Sequence, residues 1–186
     1  MGNDQPQGHA REDEELARKA ATGCEASFQA LFGRYYQEIR NFAFRRCRCM
    51  ETANDIAQTV FIRVARTIAG FRRESSFRSW LYRIAVNCLH DEARQRGSYD
   101  RRLVEFGKVA AGDAAPNPPV PSTLLHAIQM VESLPEGLRD AVVLVAAQGL
   151  THREAAEALG CPEGTVAWKI SEARRLLTNR KTAHEA

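Results

Sequence analysis

From Pro6 to Pro116 the chain contains no proline, and its apolar residues recur at helical spacing. Phe28, Leu31, Phe32, Tyr35, Ile39 and Phe42 fall at offsets 0, 3, 4, 7, 11 and 14, one stripe of a long helix. Ile56, Val60, Val64 and Ile68 trace a second helix, with Asn54 a candidate cap and Gly70 a stop. Phe77, Trp80, Leu81, Ile84, Ala85, Cys88 and Leu89 trace a third, opened by Ser75 or Ser76. These stripes are first of all core, and no strand-like alternation competes with them. The expectation is a helical bundle over about residues 12–97. The acidic run Glu12 to Glu15 is expected to cap its first helix and complement the helix dipole.

Over 98–122 the pattern lapses. The stretch AAGDAAPNPPVPS holds four prolines and almost no bulky residue, the composition of an extended, flexible linker. Helical spacing resumes near Ser122 with Leu124, Ile128 and Val131, and breaks at Leu134-Pro135. Leu138, Val142 and Val145 mark the next helix, ended by Gly149. Thr151 with Glu154 three residues later forms a capping box for a short helix whose inner face is Ala155, Ala156 and Leu159. Gly160 ends that helix, Cys161-Pro162 turns the chain, and Val166, Ile170, Ala173 and Leu177 line the inner face of the next. Two short helices across a tight Gly-containing turn form a helix-turn-helix, whose second helix enters the major groove in DNA-binding versions. The pattern alone leaves open a hairpin that packs and does nothing else. The predicted fold is all-α, two helical domains (12–97 and 123–181) joined by a flexible linker, with the helix-turn-helix in the second.

Charge separates the two halves. The net charge is +3, but residues 28–102 carry 15 basic and 7 acidic groups, all 15 of them arginine. Residues 103–186 carry 8 basic and 10 acidic groups. Arginine suits bidentate phosphate contact and stacking on bases, so the first half points to a polyanion. The polar, acidic N-terminus is unlike a secretory signal, and no apolar run is long enough to span a membrane. A cytoplasmic protein without membrane insertion is expected. Its five cysteines, an odd number, suggest reduced thiols rather than a disulfide framework.

LPEGLRDAVVLVAAQGLTHREAAEALGCPEGTVAWKISEARRLL resembles the promoter-binding domain of extracytoplasmic-function (ECF) sigma factors. The matching positions are Leu134-Pro135, Arg139, Gly149-Leu150-Thr151, Glu154-Ala155-Ala156, Gly164-Thr165-Val166 and Ala173-Arg174. In the first half SFQALFGRYYQEI, DIAQTVFIRVARTIAGFR and FRSWLYRIAVNCLHDEARQR resemble the family's opening helix, its D-x-x-Q-x-x-F segment and its F-x-x-W-L-x-x-I-A-x-N helix. Together these cover about residues 13–104 and 122–180.

The resemblance implies an alternative sigma factor that binds core RNA polymerase and directs initiation at specific promoter DNA, with the bond-making chemistry left to the polymerase. It places Asp55, Gln58 and Phe61, on one side of a helix, against the polymerase, although Phe61 also fits a core position. It places Phe71, Arg72, Arg73, Arg78, Trp80, Arg83 and Asn87 at the −10 element, where aromatic and guanidinium planes stack on unpaired bases. Phe77 and Trp80 equally fit the core, and Arg94 and Arg96 join Arg78 and Arg83 as phosphate ligands. It places Thr151, Thr165, Ala167, Trp168, Lys169, Ser171, Arg174 and Arg175 at the −35 element. Here the chain departs from the family: Ala167-Trp168-Lys169 and Glu172 replace cationic positions, so no −35 sequence carries over, and Trp168 is left to a thymine methyl, a sugar or an inhibitor. The linker is expected to thread the polymerase's RNA exit path. An anti-sigma factor is an expected partner, and the free chain is expected to be a monomer.

No phosphate-cradling glycine loop, nucleophile elbow or paired-carboxylate motif is present, so no catalytic residue, cofactor or metal is assigned. Cys47-Arg48-Cys49 lacks the spacing and further ligands of a zinc site, though a thiol or metal switch there stays open. His90 beside Asp91 fits a satisfied or solvated histidine. The competing reading is an autonomous helix-turn-helix regulator, which would need neither the D-x-x-Q-x-x-F segment nor an aromatic-arginine loop. On the main reading, the helix-turn-helix, which lacks two usual cations and lies in a half of net charge −2, is an anchor that works only once the first domain has docked on polymerase.

Overall fold

A computed structural model describes residues 6–72, 74–105 and 129–184, with side chains over 10–72, 74–96 and 129–179. The chain divides into two compact units, Met1–Ala115 and Pro116–Ala186. Every regular element among the described residues is helical. Arg73, Ser122, Leu124, Ile128 and the Pro-rich stretch lie outside them.

The first unit contains α1 (Pro6–Ala21), α2 (Glu25–Cys47), α3 (Met50–Thr67) and α4 (Phe77–Glu105), with a short 3-10 turn, Ile68–Gly70, after α3. The helical stripes meet as expected: Leu31, Tyr35, Ile39 and Phe42 of α2 are buried with Ile56, Val60 and Val64 of α3 and Phe77, Leu81, Ala85 and Leu89 of α4. Three boundaries differ from expectation. α1 begins at Pro6, so Glu12 to Glu15 lie inside it and do not serve its N-terminal dipole. They hold other elements instead. Asp13, buried, pairs with Arg34 and accepts from the Tyr35 hydroxyl, and a Glu14 carboxylate oxygen accepts the Phe77 N–H at the start of α4 (2.8 Å). α3 begins at Met50 with Cys49 at its cap, which places Asn54 in the second turn. The sharp corner at Arg48, in the left-handed region (φ 56°), starts α3 early. α4 runs on to Glu105 rather than closing near 97, since no proline stands in its way. Ser76 caps it, its Oγ accepting from the Ser79 N–H (3.0 Å).

The second unit contains helical residues 129–132, then α5 (Glu136–Val142) running into a π-type turn, Val143–Ala147, then α6 (His152–Leu159) and α7 (Glu163–His184). Leu134, Leu138 and Ala173 form one buried cluster, with Val142, Leu176 and Leu177 packed on it. Arg139 locks the Leu134-Pro135 break by donating to the Leu134 carbonyl (3.0 Å). The capping box forms in full: Thr151 Oγ1 accepts from the Glu154 N–H, and the Glu154 carboxylate accepts from the Thr151 N–H. Gly160 takes φ 64°, the left-handed cap conformation that a side chain disfavours, and its geometry sets α7 across α6.

Candidate polymerase and promoter interfaces

Along α3, Asp55 and Gln58 stand in solvent one turn apart. Phe61, expected beside them, does not: it is 4% exposed. Its ring lies edge-on to Phe32 (4.9 Å between centroids) and 5.9 Å from Tyr36, so α2 covers it. It packs beneath that surface. The apolar groups actually presented near that flank are Phe32, 40% exposed, and Ile62, 51% exposed, neither of which periodicity singled out as surface. Arg63, next in the chain, turns toward α4 and pairs with Asp91 (2.9 Å).

The candidate −10 surface starts at the loop after the 3-10 turn. Phe71, Phe77 and Trp80 form one aromatic cluster, with centroids 5.3 to 5.9 Å apart. Phe77 is wholly buried and touches Tyr35 of α2, which makes it core. Phe71 and Trp80 are half-buried above it, each with part of its ring in solvent. Arg72 is exposed. Trp80, Arg83 and Asn87 follow at spacings of three and four along α4, on one face, and Arg83 and Asn87 are exposed. Among the described residues no hydrogen bond or ion pair engages either side chain.

The other arginines assigned to phosphate are differently placed. Arg78 is less open than expected: its guanidinium lies 5.6 Å from the centre of the Tyr82 ring and 4.0 Å from Glu38, three-quarters buried. Burial, with Glu38 alongside, pushes the Tyr82 hydroxyl well above the usual phenol range. Arg94 pairs with Asp91, and Arg96 with Glu92 and the Thr52 hydroxyl. Those pairs are exposed and therefore weak, so either arginine exchanges its carboxylate for a phosphate at small cost.

On the helix-turn-helix, Thr151 is consumed by the capping box. Thr165 is half-buried at the start of α7. Ala167, Trp168, Ser171, Arg174 and Arg175 are exposed, and Trp168 stands 60% in solvent. Two cations are oriented within their own unit. Arg175 donates twice to Glu172 (2.9 and 2.6 Å), which holds that carboxyl below its usual range. Lys169 is half-buried, and its ammonium reaches back beside Gly137 at the start of α5. Arg174 is the remaining open cation of the expected set.

No described helix is long and apolar enough to cross a membrane. Among the described residues no cluster of three or more His, Cys, Asp or Glu fits a metal ion.

The first unit presents an acidic-amide flank and an aromatic-arginine loop, and the second a helix-turn-helix. Residues 31–99 match Sigma-70 region 2, and residues 126–177 match Sigma-70, region 4. The ECF RNA polymerase sigma-E factor of Escherichia coli (strain K12) is 31% identical over 179 residues, 90% of this chain and 93% of that one. The RNA polymerase sigma-H factor of Pseudomonas aeruginosa is 32% identical over 177 residues, 89% of this chain and 92% of that one. The fold also matches the structure of CnrH in complex with the cytosolic domain of CnrY (TM-score 0.69, 24% identity, 92% of this chain and 97% of that one). It matches the sigma factor RpoE in complex with the anti-sigma factor NepR from Bartonella quintana (TM-score 0.67, 23% identity, 82% and 94%). The chain belongs to the ECF RNA polymerase sigma factors. It is a transcription initiation subunit that works with core polymerase and directs it to promoters.

Proposed function

We propose that the exposed flank of α3 bearing Asp55 and Gln58 docks on core polymerase, with Phe32 and Ile62 as its apolar contacts and Phe61 as its support. The observation that carries this reading is the pairing of two unspent polar side chains with two exposed large apolar ones on a unit whose other large apolar residues are mostly buried. Interfaces gain affinity where such apolar groups are desolvated inside a polar rim. The loop and face formed by Phe71, Arg72, Trp80, Arg83 and Asn87, with Arg73 adjoining in sequence, take the −10 element. Trp80 and Phe71 offer partly open rings to unpaired bases, and the arginines neutralise phosphate. α7 takes the −35 element in the major groove. On this division, residues 12–97 serve polymerase and −10 DNA, 98–122 link, and 123–181 serve −35 DNA.

The protein acts in the cytoplasm, contributes no catalysis of its own, and is a monomer when free. Its inhibitor is an anti-sigma factor, the class of partner that NepR represents in the Bartonella quintana RpoE complex. Covering the α3 flank would exclude polymerase directly. Run-off transcription with purified core polymerase tests the reading. Added chain is expected to give discrete start sites that core polymerase alone does not give. Tight binding of free chain to duplex DNA, with no transcription alongside core polymerase, would instead identify an autonomous regulator.

A further inference from the structure

The outward face of α7 in its first turns is nearly bare of hydrogen-bonding chemistry. At 100° per residue, Gly164, Ala167, Trp168 and Ser171 share the side opposite the buried Val166 and Ala173. Three of these four are small, which brings the helix backbone close to a groove floor. Trp168 is the one large group among them, and it is 60% exposed. A guanine is normally read by an Arg or Lys fork, and an adenine by Asn or Gln. None of those residues stands on this face in its first two turns: Lys169 turns to Gly137, Arg175 falls on the face only a turn later and there pairs with Glu172, and Arg174 lies to one side of it. Glu163 at the helix start and the Thr165 and Ser171 hydroxyls are the polar groups left. What an indole edge can distinguish in the major groove is the thymine C5-methyl, the single apolar feature that the base pairs present there.

We propose that Trp168 is the principal base-reading side chain of the helix-turn-helix and selects a thymine at one −35 position through its methyl group. The proposal rests on α7 being the −35 reader. It implies a −35 element discriminated by methyl contact more than by guanine hydrogen bonding.

The test uses holoenzyme reconstituted from the full chain and core polymerase. Selection from a promoter library randomised at −35 identifies the preferred element for wild type and for Trp168→Ala. Each selected thymine is then replaced by deoxyuridine, which removes the methyl alone, and 5-methylcytosine is placed at the same position to restore a methyl on another base. Wild type is expected to require thymine at one position and to lose about fourfold in affinity on the deoxyuridine probe, the factor for one methyl removed from water. 5-Methylcytosine is expected to recover part of the loss relative to cytosine. Trp168→Ala is expected to lose the preference and to bind thymine and deoxyuridine probes alike, while Trp168→Phe keeps a reduced preference. The thermal midpoint of the second unit, followed by circular dichroism, serves as the folding control for Trp168→Ala and is expected to match wild type. An unchanged thymine preference in Trp168→Ala, or equal deoxyuridine penalties in both proteins, overturns the proposal. A wild-type holoenzyme that transcribes without any −35 preference overturns the wider assignment of α7 as well, a result distinct from either.

Discussion

Asp13 is a carboxylate buried on α1 that tolerates its position because two partners on α2 reach it. Arg34 supplies charge and the Tyr35 hydroxyl supplies a hydrogen bond. Burial and that neighbour push the Tyr35 hydroxyl well above the usual phenol range, so it remains a donor at any physiological pH. The two halves of the pair are not equivalent. Asp13→Ala strands a buried hydroxyl and is expected to cost about 2 to 3 kcal/mol, whereas Tyr35→Phe leaves Asp13 its arginine and costs about 1 kcal/mol. Urea unfolding followed by circular dichroism measures both; equal costs would contradict the asymmetry. The same scale explains why site residues are only partly legible in the sequence. Spacing puts Asp55, Gln58 and Phe61 on one side of a helix, but only the packing of Phe32 and Tyr36 shows that Phe61 is covered. Likewise every arginine of 28–102 looks alike in a charge count, and only burial and their neighbours show that Arg78 is largely covered while Arg83 is exposed.

At the scale of elements, Asp91 ties α4 to α3. Hydrogen bonds from Arg94 and then Arg63 hold its carboxyl below the ordinary value of 3.8. A carboxyl lowered in the folded state adds stability that is fully present above that value and declines as pH falls below it toward the folded value. A double-mutant cycle of Arg63→Ala and Asp91→Ala is expected to give a coupling of about 0.5 kcal/mol at pH 6, since the pair is partly exposed, and less at acid pH. A coupling that grew on acidification would contradict this assignment. In the helix-turn-helix, Thr151→Ala removes a cap and Gly160→Ala forces a side chain into the left-handed region. Each is expected to cost about 1 kcal/mol, read as a lower thermal midpoint of the second unit. Those two residues are legible because a capping box and a helix-ending glycine are local signals. The start of α3 is not, because Asn54 has the chemistry of a cap but the corner at Arg48 places the cap at Cys49, five residues earlier. The acidic run hides its role for a similar reason: its partners, Arg34, Tyr35 and the Phe77 N–H, are distant in sequence.

Over the whole molecule the basic charge and the aromatic cluster proposed to take unpaired bases lie in the first half, while residues 103–186 are net acidic. Affinity for DNA backbone follows phosphate neutralisation, so a helix-turn-helix domain with no net positive charge holds duplex weakly by itself. Free chain is therefore expected to show little −35 duplex binding in a mobility-shift assay at physiological salt, and holoenzyme to protect −35 and −10 together in a footprint. Strong −35 binding by free chain would remove the dependence on polymerase. That dependence makes the α3 flank the point on which the account turns. The most direct measurement is the affinity of the full chain for core polymerase, by fluorescence titration, for wild type and for Asp55→Arg with Gln58→Arg. Both positions are exposed, so helicity and thermal midpoint are expected to be unchanged in the variant. The account predicts an affinity at least tenfold weaker, with run-off transcription lost in proportion. Wild-type affinity in a folded variant would contradict it.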